Sequence, residues 1–168
     1  QFHHTPPYTG VCEIGGRSDL PFKIETWKVV LIPHALNFSE TIFNAIGLIA
    51  RQMGDVELLV DTWEVVDASL PPVTIPWNYL KMCTLAGSLR DHFENHLYGK
   101  SGCWGIACSN ERDPSYIGGE PKFMESLIAT LGGANDLRRS FLSHNQDFAH
   151  YEADFLAALF RNVGWELS

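Results

Sequence analysis

The N-terminal part of the chain changes its hydrophobic pattern twice over a short stretch. Residues 23–32 are rich in β-branched and aromatic side chains and stop at Pro33, which cannot donate to a strand ladder. Apolar residues then recur at helical spacing from Ile42 to Met53, and residues 56–67 return to a β pattern. Two strands joined by one helix predict a crossover that lays both strands parallel in one sheet.

The ends of this helix have recognisable signals. Asn37 and Glu40 have the spacing of a capping box, and Gly54-Asp55 supplies a stop. The proline-rich stretch 70–76 is incompatible with a helix interior or a central strand and is expected to be a connector. A single helix is predicted from residue 77 to Tyr98, because apolar residues follow one stripe up to Gly99.

The rest of the chain predicts one buried strand and then helices. Residues 102–108 are short, apolar and flanked by glycine, as in a buried strand, and a polar loop is expected to follow. Pro121 is well placed at a first helical position, Asn135 can cap a shorter helix, and residues 147–163 predict the last helix.

These patterns predict an α+β fold. We expect a small mixed sheet of about three to four strands, with a β-α-β N-terminal half and a helical C-terminal half. Residues 23–168 are expected to form a single domain, since one ordinary domain has about this length. Residues 1–22 are interpreted as an extended N-terminal arm, part of which need not be native.

The two predicted strands resemble each other in sequence. IETWKVV begins at residue 24 and DTWEVV at residue 61, so parallel neighbouring strands could align register for register. Aligned in this way, acids and tryptophans would share one sheet surface, and tryptophan is common at the centre of interfaces. The candidate partner-binding residues are Glu25, Trp27, Asp61, Trp63, Glu64 and Asp67. Core packing of both indoles, with a chance likeness between good strand sequences, is the alternative.

The charge balance excludes one class of partner and favours another. Twenty acids against twelve bases give a net charge of −8, the wrong sign for tracking nucleic-acid phosphates. An acidic surface attracts a basic protein instead, although solubility alone would also explain the excess of acids.

No run of roughly 20 apolar residues is present, so no membrane association is expected. Four irregularly spaced cysteines favour a reducing, cytoplasmic compartment, while a secreted chain without its signal peptide would look the same.

A metal site is the competing interpretation. His92 and His96 are four residues apart in the predicted helix, a spacing that can bring two imidazoles to one ion. Cys103 and Cys108 follow and complete a conceivable set of four ligands, but their spacing is not that of a structural zinc site. Hydrogen-bonded histidines at the border of the core explain the pair adequately without a metal.

The sequence therefore leaves two functions open. The first is a non-enzymatic, acidic protein-binding module without a cofactor, for instance an inhibitor or immunity-type protein that neutralises a basic toxin or nuclease. The alternative is a small metal-dependent hydrolase that uses His92 and His96, with Glu94 or Glu111 as its base.

Overall fold

The computed structural model describes residues 26–32, 39–62, 72–88, 94–109, 115–144 and 153–165. The helices and strands follow in chain order: β1 (Lys28–Ile32), α1 (Glu40–Gln52), β2 (Glu57–Thr62), β3 (Val73–Pro76), α2 (Tyr79–Ser88), β4 (Glu94–Tyr98), β5 (Trp104–Ser109), β6 (Ser115–Gly119), α3 (Pro121–Thr130), α4 (Ala134–His144) and α5 (Ala153–Asn162).

The six strands of the described residues form one sheet in the order β1, β6, β5, β4, β2, β3. All neighbouring strands pair antiparallel. The predicted α+β class is confirmed, whereas the predicted count of three to four strands is too low and the sheet is not mixed.

The crossover prediction is right about direction and wrong about adjacency. Successive antiparallel pairings leave β1 and β2 pointing the same way, but β6, β5 and β4 lie between them. Four strand spacings separate the two by about 19 Å, so no residue of β1 can face its counterpart in β2. The predicted alignment of the two similar sequences is therefore wrong.

Helix α1 forms where the sequence predicts it. Its N-cap is Ser39, whose Oγ accepts a hydrogen bond from the Ile42 amide at 3.3 Å, and Gly54 follows the helix with φ of 95°. Asn37, the expected cap, lies outside the described residues. The apolar stripe of α1 is buried at Ile42, Phe43, Ala45, Ile46, Ile49 and Ala50.

The predicted helix from residue 77 to 98 is confirmed only for its first half. Helix α2 ends at Ser88, and residues 94–98 form strand β4 between β2 and β5. Residues 95–98 of β4 are all buried, so the strand shows no alternation that would distinguish it from a buried helix. The predicted connector at 70–76 contains the short strand β3, which lies at the sheet edge, where prolines are tolerated.

Strand β6 lies where the sequence predicts a loop. Its five residues are all buried, and its last residue, Gly119, pairs with Trp104 of β5. A Cβ on Gly119 would lie 2.9 Å from the Cys103 carbonyl oxygen and 3.1 Å from the Trp104 Cβ. Glycine at this position therefore makes room for a large neighbour and does not mark a turn.

The sheet is buried on both faces. Strand alternation places Leu58, Leu97, Ile106 and Ile117 on one face and Leu31, Leu59, Tyr98 and Tyr116 on the other, and all eight are buried. On the first face Trp104 stacks on Phe123 of α3, with ring centroids 5.5 Å apart. Trp77 contacts both Trp104 and Phe43 of α1, so aromatic rings join α1, the sheet and α3 into one core.

The C-terminal helices follow the predicted order. Pro121 is the first residue of α3, as expected. Gly132 and Gly133, which both have positive φ angles, lie in the turn between α3 and α4. The rings of Phe141 in α4, Phe160 in α5 and Trp165 contact one another, with centroids between 5.5 and 6.4 Å apart. No helix in the described ranges is long and apolar enough to cross a membrane.

A buried carboxylate, that of Asp55, joins four parts of this fold. It accepts hydrogen bonds from the Ser101 amide at 2.8 Å, the Ser101 hydroxyl at 2.7 Å and Trp104 Nε1 at 2.8 Å. The main-chain carbonyl oxygen of Asp55 accepts a hydrogen bond from Trp77 Nε1 at 2.9 Å, and the main-chain amide of Asp55 donates to the Ala50 carbonyl oxygen. The end of α1, the β4–β5 turn, β5 and the connection between β3 and α2 therefore meet at Asp55.

We expect D55A to lower the free energy of unfolding by about 3 kcal/mol or more. The substitution removes three hydrogen bonds to a carboxylate and leaves the buried Trp104 Nε1 without its acceptor. The matched control is E57Q, which removes an exposed ion pair with Lys100 and is expected to cost less than about 1 kcal/mol. Urea unfolding followed by tryptophan fluorescence measures both values. Similar losses in the two variants would contradict this role for Asp55.

Candidate functional site

Four chain connections leave or enter the strands at the same end of the sheet. Strands β1, β2 and β5 end there, and β3, β4 and β6 begin there. The segments 33–38, 63–71, 89–93 and 110–114 join these strand ends to the next element and lie outside the described residues. We call this end of the sheet, with its joining segments, the acidic end.

The name reflects the charges that the sequence places in these segments. Only two bases, Arg90 and Arg112, occur there. The acids in the segments and in the adjoining strand ends are Asp61, Glu64, Asp67, Asp91, Glu94, Glu111 and Asp113. The sequence of these segments and strand ends thus has an excess of five acids, which is more than half of the net charge of −8.

The opposite end of the sheet, which we call the balanced end, has nearly equal numbers of acids and bases. Among the described strand ends and joining residues there, the acids are Asp55, Glu57 and Glu120 and the bases are Lys28 and Lys100. Lys100 pairs with Glu57 at 3.0 Å, and Lys28 pairs with Glu125 of α3 at 2.6 Å. Asp55 is the buried carboxylate described above, so its charge is held within the protein. In the sequence, the excess of acids is therefore larger in the strand ends and joining segments of the acidic end than in those of the balanced end.

Among the acids of the acidic end, Asp61 in β2 has a described side chain. It lies directly opposite His96 on the neighbouring strand β4, and the two side chains share one face of the sheet. Tyr98 lies on the same face, two residues along β4. His96 and Tyr98 are buried, whereas Asp61 is half-buried.

Burial controls the protonation of both ring side chains. It lowers the pKa of His96 to about 4, from an ordinary value of 6.5. Burial, with a smaller contribution from the Asp61 carboxylate, raises the pKa of Tyr98 to about 12. Both groups are therefore uncharged at neutral pH, and neither ring neutralises the negative charge of Asp61.

The structure separates the residues of the predicted docking surface. Trp27 is buried directly before β1, whereas Asp61 lies near the end of β2, and three strands lie between β1 and β2. Trp27 therefore does not form an exposed surface with Asp61. Its indole packs in the core, as the alternative interpretation expects. Glu25, Trp63, Glu64 and Asp67 lie outside the described residues. Trp63, Glu64 and Asp67 follow β2 in the sequence.

The predicted metal ligands are also dispersed. His96 pairs with Ala107, so it lies on the opposite face of the sheet from Cys108. Cys103 precedes β5, and about 16 Å of extended chain separates it from Cys108. His92 lies outside the described residues, and its pairing with His96 loses its helical basis because residues 94–98 are a strand. Among the described residues, no group of three or more His, Cys, Asp or Glu side chains could hold a metal ion.

Comparisons with known proteins assign no relative to the chain. No family model, no curated protein and no solved structure matches it. The function must therefore be inferred from the charge distribution and the geometry described above.

The depressed pKa of His96 predicts a specific pH dependence of stability. As the pH falls from 6.5 to 4, the unfolded chain binds a proton at this histidine before the folded chain does. The contribution of His96 to the free energy of unfolding is therefore full above pH 6.5. It decreases by about 3 kcal/mol in total as the pH falls toward 4. Urea unfolding of H96Q should show a correspondingly smaller loss between pH 7 and pH 4 than the wild-type protein. Parallel pH profiles for the two proteins would contradict the buried, neutral state.

The buried thiol of Cys108 is expected to be inert in the folded protein. Burial raises its pKa to about 12, opposed in part by the Ser115 hydroxyl, and only the thiolate reacts with alkylating agents. Iodoacetamide at pH 8 should modify Cys108 at least about 100-fold more slowly than in urea, as measured by peptide mass spectrometry. Equal rates in the folded and unfolded protein would show that this side chain is accessible.

Proposed function

We propose that the protein is a non-enzymatic binding module that uses its acidic end to recognise a basic protein. Its partner would be a cationic toxin or nuclease, which makes the module an inhibitor or immunity-type protein. The observation that supports the proposal is the strand order, because β1, β2 and β5 end and β3, β4 and β6 begin at the same end of the sheet, next to the acid-rich segments of the sequence.

Physical reasoning supports this use of the acidic end. Like charges gathered at one end attract an oppositely charged surface over a distance of about one Debye length, roughly 8–10 Å at physiological salt. Such steering raises the association rate and makes it fall as salt is added. The neutral state of His96 preserves this effect, since a protonated imidazole opposite Asp61 would cancel part of the local charge.

A nuclease fits the proposal because its substrate-binding surface must itself be cationic. Proteins that track phosphates do so with Lys and Arg, and their affinity comes largely from these charges. An acidic surface of a few carboxylates can occupy such a groove and exclude the nucleic acid. The metal-dependent alternative receives no comparable support, because His96 and Cys108 lie on opposite faces of the sheet.

The test uses two triple variants that remove the same number of charges at opposite ends. The first, D61N/E64Q/D67N, neutralises three carboxylates of the acidic end. The control neutralises three carboxylates of the balanced end and its neighbourhood, in the variant E57Q/E120Q/E125Q. Both variants leave the same net charge, so a difference between them reports where the charge lies.

The immobilised wild-type protein first captures partners from a lysate of the source organism, and these are identified. The association rate of each purified partner is then measured with the wild-type protein and with both variants. We expect the first variant to bind at least about 10-fold more slowly at 0.05 M salt, and the control to bind within about twofold of wild type. Equal rates for the two variants, or binding indifferent to 0.5 M salt, would contradict the proposal. Matching thermal melts of the three proteins exclude misfolding as the cause.

A further inference from the structure

We draw no further inference here: the strongest candidate, the exposed apolar side chains of Val56 and Leu80 near the junction of β2, β3 and α2, carries none because nothing in the described part of the chain shows what covers them.

Discussion

The buried carboxylate of Asp55 is the interaction on which the geometry of the fold depends. It receives three hydrogen bonds, two from Ser101 and one from Trp104, and the Asp55 backbone also bonds Trp77 and Ala50. A Cβ on Gly99 would overlap the same carboxylate, so the turn that carries Ser101 approaches it closely. A buried acid is costly unless its acceptors are satisfied, and here the donors come from separate elements. One residue thereby fixes the relative positions of α1, β5 and the β4–β5 turn.

Under the proposed function, the two ends of the sheet have different tasks. At the balanced end, the Asp55 carboxylate is buried and hydrogen-bonded, and Lys100 pairs with Glu57. At the acidic end, the joining segments add carboxylates with few bases. These segments begin or end at strand termini, and loops that start from a folded scaffold commonly carry binding residues. Stability and proposed recognition thus rely on separate groups of residues.

The sequence predicts those elements whose signals are local. Helix α1 has a clear apolar stripe, Pro121 marks the start of α3, and the short apolar stretch around Trp104 reads correctly as a buried strand. The sequence does not predict strands β4 and β6, because both faces of these strands are buried and no alternation of polar and apolar residues results. Pairing with strands distant in sequence also outweighs the low strand propensity of their polar and glycine residues. The sequence alone marks Asp61 as a candidate site residue. Its position opposite His96 depends on the strand order, which no local sequence pattern encodes.

The central claim, that negative charge is concentrated at one end of the sheet, can be measured without a partner. Cationic and anionic nitroxide cosolutes enhance the relaxation of nearby amide protons in proportion to their local concentration, which the surface potential sets. We expect the cationic probe to exceed the anionic one strongly at Ile32, Thr62 and Ser109, and the two probes to act similarly at Lys100 and Gly102. Equal ratios at both ends of the sheet would contradict the account.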